Sequence, residues 1–173
     1  MKKLLVIICS ALLLAMSFQI FTYADTPKSK YEQLGFKEGM GAVNQFEQAN
    51  GIKLELPTKK PPITFTHVYS RFKNNQGLIN DSVEIIYKNG RETKQHYVIR
   101  VGHKGASLPI AVNKSTNEIK LNDGSNAYYF NEKIDGYHLF VFTHGDFQYV
   151  IGINKEISNI VTESELKEIA ESL

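Results

Sequence analysis

Short runs with apolar residues at every second position constrain the fold of this chain more than any other feature. Residues 83–87 place Val83, Ile85 and Tyr87 on one face, and residues 97–101 do the same with Tyr97, Ile99 and Val101, which is the period-two spacing of a strand. Asn89-Gly90 lies between the two runs, and this dipeptide is typical of a tight hairpin because both positions tolerate positive φ. The pattern therefore predicts an antiparallel hairpin.

Further strand-like runs lie on both sides of this hairpin. Residues 52–56 alternate and end at Pro57, and residues 63–69 place Ile63, Phe65, His67 and Tyr69 on one predicted face. A second hairpin is predicted around His144-Gly145-Asp146. Its strands cover 137–143 and 147–153, and shorter runs occur at 108–112, 118–121 and 127–130.

Helical patterns occur near both ends of the chain. Residues 41–50 carry Val43, Phe46 and Ala49 at three-residue steps, and Asn50-Gly51 is typical of a helix end. Near the C-terminus, Thr162 and Glu165 have capping-box spacing, and an apolar face follows at Leu166, Ile169, Ala170 and Leu173. These patterns predict an α+β fold: a curved, mainly antiparallel, meandering sheet of about six to eight strands, with an N-terminal helix and a capped C-terminal helix.

The N-terminus has the three parts of a secretory signal peptide. Lys2 and Lys3 precede an apolar run from Leu4 to about Met16, and Thr22-Tyr23-Ala24 supplies small residues at the cleavage positions. We predict a signal peptide at 1–24, an N-terminal segment with a helix at 25–50 and one domain at 51–173. The alternative is an uncleaved membrane anchor, because the apolar character extends to Phe21 if the polar residues Ser17 and Gln19 are tolerated within it.

Composition excludes several classes of function. The single cysteine, Cys9, lies in the signal, so the exported domain has no disulfide or thiol nucleophile. Cleavage would remove Lys2 and Lys3, so the 20 Lys and Arg residues would become 18 and equal the 18 Asp and Glu residues. A neutral domain gives no electrostatic support for binding nucleic acid or an anionic membrane.

No catalytic or metal-binding pattern emerges from the sequence. Ser107 lacks the second glycine of a nucleophile elbow, and none of the five histidines has H-x-x-x-H or H-E-x-x-H spacing. His138, His144 and Asp146 are the groups that a hydrolase would have to bring together. We therefore expect no enzyme activity, no metal and no cofactor.

Aromatic residues give the one positive indication of a site. Many lie on predicted strands, and residues 137–143 are apolar on both faces. One interpretation is a central strand buried on both sides. The other is a concave sheet face that holds an apolar ligand, for which the candidate ligand-binding residues are Tyr128, Phe140, Phe142 and Tyr149.

Residues 50–173 resemble a bacterial family, domain of unknown function 4367. The matching segments are Gly51–Pro57 followed by Pro61, Val83–Tyr87, Asp123-Gly124, Phe147–Ile151 and the closing helix Ser164–Leu173. The resemblance implies an exported or anchored envelope protein. It also implies a fold similar to lipoprotein-carrier and sigma-regulator periplasmic domains, and it carries over no catalytic residues.

The function expected from the sequence is therefore a secreted or extracytoplasmic binding module of the cell envelope, with an apolar ligand, an envelope component or an envelope protein as partner. A sensor or inhibitor domain acting on another envelope protein is the alternative. A cell-wall hydrolase is a third hypothesis. After cleavage of the signal we expect no integral membrane span.

Overall fold

The computed structural model describes residues 30–92, 94–106, 117–134 and 136–173, with the backbone alone for 132–134. The predicted signal peptide, Ser107 and the predicted strand at 108–112 lie outside these residues. The described helices and strands, in chain order, are α1 (Lys30–Gln33), β1 (Lys37–Glu38), α2 (Gly41–Asn50), β2 (His67–Lys73), β3 (Ser82–Lys88), β4 (His96–His103), β5 (Asn117–Lys120), β6 (Asn126–Ile134), β7 (Tyr137–His144), β8 (Phe147–Asn154) and α3 (Glu163–Ala170).

The strands form one open antiparallel sheet in the order β1-β2-β3-β4-β8-β7-β6-β5. Strands β1 to β4 and strands β5 to β8 each follow one another in space, and the pairing of β4 with β8 joins the two halves. The expectation of an antiparallel sheet of six to eight strands is confirmed. Helices are a small part of the described chain, so the sheet dominates the fold.

The larger core lies on the side of the sheet that carries α2 and α3, called here the helix side. Ala42, Val43 and Phe46 of α2 pack there, and Gly51, with a φ of 64°, ends this helix as predicted. Ala49 is exposed, contrary to the predicted apolar face, and Ala42 takes the inward position. A helix has 3.6 residues per turn, so three-residue steps drift off the buried face.

The C-terminal helix α3 forms as the sequence predicts. The Thr162 side chain accepts a hydrogen bond from the backbone N–H of Glu165 at 3.3 Å, which satisfies one of the free donors of the first turn. Leu166, Ile169 and Ala170 are buried in the helix-side core. An amphipathic helix of this length depends on such packing for its stability.

The opposite side of the sheet, called here the outer face, has two different halves. Strands β6 to β8 carry a second apolar cluster of Phe130, Leu139, Val141 and Val150, with half-buried Tyr128 and Tyr137 beside it. Strands β2 to β4 carry charged side chains in register: Arg71 opposes Glu84, and Glu84 opposes Arg100. The strands of β6 to β8 are therefore apolar on both faces.

Two segments that the sequence predicts as strands do not form them. Residues 52–56 form no strand: Leu54 is buried, but its N–H donates to the Glu47 side chain. Residues 63–66 also lie outside β2, and Phe65 packs on the helix side against Tyr87 and Tyr97. His67 and Tyr69 alternate with the helix-side residue Val68 and therefore face the outer side, so they do not share a face with Phe65 as predicted.

The connection between β3 and β4 is also longer than the predicted two-residue turn. It runs from Asn89 to Gln95, and neither Asn89 nor Gly90 has a positive φ. The Asn89 side chain instead accepts hydrogen bonds from the N–H groups of Arg91 and Glu92, at 2.9 Å and 3.2 Å. The hairpin itself is confirmed, as is the tight β7–β8 hairpin, in which Gly145 has a φ of 55°.

Candidate functional site

Three of the four predicted ligand-binding residues belong to the helix-side core. Phe140, Phe142 and Tyr149 are 0%, 2% and 1% exposed. The rings of Phe142 and Tyr149 stack with centroids 5.1 Å apart, and Phe140 packs against Phe142 at 6.1 Å. Their surroundings in the core are side chains of α2, α3 and the neighbouring strands.

The hydroxyl of Tyr149 has a specific partner on the segment that follows α2. It donates a hydrogen bond to the Glu55 carbonyl oxygen at 2.9 Å. Burial, with a smaller contribution from the charge of Glu55, raises the pKa of Tyr149 to about 12. Tyr149 therefore stays a neutral donor and attaches this segment to the sheet.

Tyr128 lies on the outer face, away from the other three residues. It opposes Val141 on β7 and Glu118 on β5, and its side chain is half-buried beside the outer apolar cluster. Side chains alternate between faces along a strand, so Tyr128 is separated from Phe140, Phe142 and Tyr149 by the sheet itself. The four residues do not line one cavity.

A cleft of about 460 Å³ opens beside Tyr128 on the outer face. Val141 is almost fully buried at this position, and Phe142 also lines the cleft although its ring packs on Tyr149. The remaining lining residues are Lys120, Gly124, Ser125, Asn126, Thr143 and Gln148. The cleft therefore combines one aromatic ring and an apolar strand with amide, hydroxyl and ammonium groups.

Asn126 presents an unsatisfied acceptor at this cleft. Its Nδ2 donates to the Glu118 carboxylate, but its Oδ1 is buried and has no hydrogen-bond partner among the residues that the structure describes. Leaving a buried polar atom without a partner costs about 1–3 kcal/mol. Asn126 therefore places a buried, unpaired acceptor in the wall of the cleft, and a ligand donor would satisfy it only if the amide turned toward the cleft.

The residues that a hydrolase would need are held apart by different partners. His138 Nδ1 lies 2.7 Å from the Tyr129 hydroxyl, His144 Nε2 lies 3.4 Å from a Glu55 carboxylate oxygen, and Asp146 pairs with Lys104 at 3.0 Å. Burial and the positive charge of Lys155 lower the pKa of His138. Among the described residues no group of three His, Cys, Asp or Glu side chains is arranged to hold a metal ion.

Comparisons with protein-family models, with curated proteins and with solved structures find no match for this chain. The resemblance to domain of unknown function 4367 therefore stays a prediction. Within the part of the chain that the structure describes, every helix is too short or too polar to cross a membrane.

The sequence analysis named Tyr128 as a candidate but did not name the polar residues around it. Asn126 precedes Tyr128 by two positions and therefore shares its face of β6, a signal that the sequence contains. Thr143 and Gln148 oppose each other across the β7–β8 hairpin. Their position beside Asn126 depends on the pairing of β6 with β7, which hydrophobic periodicity alone does not specify.

Proposed function

We propose that this chain is an exported, non-catalytic α+β binding module of the cell envelope, and that its ligand binds in the outer-face cleft against Tyr128. The ligand we expect is a small molecule or a segment of an envelope component with a flat or cyclic portion and several polar groups. A sugar ring of an envelope glycan fits this description. The predicted signal peptide supports the extracytoplasmic location.

The observation that carries the proposal is the half-buried Tyr128 ring in a cleft of about 460 Å³, with the buried Asn126 Oδ1, unpaired among the described residues, in the wall of that cleft. A volume of this size accommodates a small-molecule ligand. The tyrosine ring offers a face for stacking, since aromatic side chains combine an apolar body with a polar tip. Lys120, Thr143 and Gln148 add donors and acceptors at the rim.

The apolar strand residues beneath the cleft support a fixed rather than an adaptable site. Val141 and Val150 oppose each other on β7 and β8, and both belong to the outer apolar cluster. Sites built on paired strands hold their geometry better than sites on loops. We therefore expect the ligand to bind without rearrangement of the sheet.

A second candidate function is recognition of another envelope protein through the edge strand β5. This strand is the last in the sheet order, and its residues Asn117, Glu118 and Lys120 are exposed. An extended peptide adds to such an edge through main-chain hydrogen bonds. Charged side chains on β5 oppose unspecific pairing, so this candidate requires a partner with complementary charges.

Nuclear magnetic resonance titration tests the cleft proposal. The probes are tri-N-acetylglucosamine and a soluble digest of bacterial cell wall. We expect saturable shifts of the backbone amides of Asn126, Tyr128, Thr143 and Gln148. Tyr128→Ala should abolish them, because truncation removes the stacking face.

Tyr137→Ala is the matched control, since Tyr137 is also a half-buried tyrosine beside the outer apolar cluster but does not line the cleft. It should leave the titration unchanged. Shifts confined to β5 edge amides would favour the peptide-binding candidate instead. Absence of saturable shifts with both probes would count against the cleft.

A further inference from the structure

On the charged half of the outer face, the carboxylate of Glu84 does not pair with all of the cations around it. Glu84 accepts a hydrogen bond from Arg71 Nη2 at 2.8 Å and lies 3.7 Å from Lys73 Nζ. Both partners are on β2. The Glu84 carboxylate is therefore engaged toward β2, and Arg100, which opposes Glu84 from β4, is left as the surplus cation.

Among the described residues no carboxylate forms an ion pair with Arg100, and its Nε is buried without a hydrogen-bond acceptor. Arginine carries five N–H donors and no acceptor. Arg71 provides the contrast on the same face. Its Nε is also unpaired, but its Nη1 donates to the Leu34 carbonyl at 2.7 Å and its Nη2 to Glu84.

A cavity of about 390 Å³ lies next to Arg100. Asn75, Asn80, Ser82, Gly102 and Ala106 share its lining, which thus offers amide and hydroxyl donors beside the guanidinium. Ser82 and Gly102 oppose each other on β3 and β4. The cavity therefore occupies the end of the sheet where these two strands present small residues.

Asp81 is the one carboxylate among the described residues of the lining, and its oxygens are already engaged. Oδ1 accepts from the Asn75 N–H at 2.7 Å, and Oδ2 accepts from the Asn50 amide at 3.2 Å. Lys73, on the neighbouring strand, opposes Ser82 and adds positive charge near the cavity. The local balance therefore favours an anion over a cation.

We propose that this cavity is an oxyanion-binding site in which Arg100 holds a carboxylate or phosphate group. The planar guanidinium matches either group with two parallel hydrogen bonds. The evidence for this site is Arg100 and the cavity beside it, and it does not depend on the Tyr128 cleft. Gly102 opposes Gln148 of the Tyr128 cleft, so one ligand with an anionic group and a ring could span both, a link that rests on the proposed function.

The test follows the Arg100 Nε–H resonance by nuclear magnetic resonance during separate titrations with inorganic phosphate and sodium acetate at constant ionic strength. We expect a saturable shift with at least one anion. The anion that binds more tightly shows whether the site takes a phosphate or a carboxylate group. Arg100→Gln should weaken binding about tenfold or more, since a hydrogen bond to a charged group is worth about 1.5–3 kcal/mol. Arg100→Lys should retain part of it.

Lys88→Gln is the control of equal charge change, because Lys88 is also on the outer-face side of β3 but does not line the cavity. It should leave phosphate and acetate binding unchanged. Shifts linear in concentration with both anions would overturn the proposal, as would equal loss in Arg100→Gln and Lys88→Gln. If Arg100→Gln does not fold, the wild-type titration still tests the proposal, because a saturable curve supports a binding site and a linear curve contradicts it.

The two proposals fail separately. Tyr128→Ala should not change the phosphate or acetate titration, because Tyr128 does not line this cavity. Loss of anion binding with intact glycan binding would overturn the Arg100 site alone. Loss of glycan binding with intact anion binding would overturn the cleft alone.

Discussion

The Phe142 and Tyr149 rings stack almost parallel across the β7–β8 pair, with centroids 5.1 Å apart and an interplanar angle of 11°. The two residues oppose each other in register, and both face the helix-side core. Aromatic pairs of this kind contribute about 0.5–1.5 kcal/mol beyond their burial. The pair therefore stabilises the hairpin rather than facing a ligand.

Phe142→Ala should lower the free energy of unfolding by about 3–5 kcal/mol, because it leaves a cavity in a packed core. Urea unfolding measures the change. Tyr128→Ala is the comparison, and its half-buried ring should give a clearly smaller loss. Equal losses in the two variants would contradict the assignment of Phe142 to the core and Tyr128 to the surface.

Tyr149→Phe should lower the free energy of unfolding by about 0.5–1.5 kcal/mol, since it removes the hydrogen bond to the Glu55 carbonyl and leaves that oxygen without this donor. The segment after α2 should also open more often. Amide hydrogen exchange across residues 52–60 measures this opening, and strand β6 in the same protein is the internal reference. Unchanged exchange in 52–60 would show that Tyr149 does not hold the segment.

Thr162→Ala should cost about 1 kcal/mol, because the N–H of Glu165 loses the acceptor that caps α3. Thr162→Ser keeps a side-chain oxygen at the cap and should stay close to wild type. Thermal unfolding of both variants is the measurement. If serine were as destabilising as alanine, the methyl group rather than the hydrogen bond would be responsible.

Stability should fall as pH drops below the ordinary histidine pKa of about 6.5. Burial and the charge of Lys155 lower the pKa of His138 in the folded state, and burial and the charge of Lys88 lower that of His96. Protons therefore bind the unfolded chain first, and stability is lost between the ordinary pKa and the lowered one. Urea unfolding across this window should show a smaller loss in His138→Gln, and smaller still when His96→Gln is added. An unchanged pH dependence in the double variant would refute the assignment.

Local sequence signals predicted the elements whose partners are close in the chain. The Thr162 cap, the Gly51 helix end and the β7–β8 hairpin all depend on contacts within a few residues. These interactions are fixed by residue type and spacing, so the sequence contains them directly. The predicted bounds of α2 also agree with the structure for the same reason.

Elements whose partners are distant in the chain could not be predicted from local sequence signals. Residues 52–56 alternate in burial as a strand would, but Leu54 bonds to the Glu47 side chain and Glu55 to Tyr149. Alternation records one-sided burial and does not show that a ladder partner exists. Likewise, nothing local indicates that β8 pairs with β4 across the centre of the sheet.

The candidate site shows the same division between composition and geometry. Aromatic residues on strands serve a core and a binding surface equally well, so Phe140 and Tyr128 looked alike in the sequence. Alternation along β7 places Phe142 and Val141 on opposite faces of the sheet. Only the pairing of Val141 with Tyr128 shows that this tyrosine lies on the outer face. The unpaired Asn126 Oδ1 and Arg100 Nε become visible only in three dimensions.

Native mass spectrometry of the protein secreted by its own host, as wild type and as Tyr128→Ala, tests the central claim most directly. We predict that the wild type carries a non-covalent ligand mass and that the variant, folded and equally abundant, carries none. A wild-type protein without bound mass, or the same bound mass on both proteins, would contradict a binding function for the outer-face cleft.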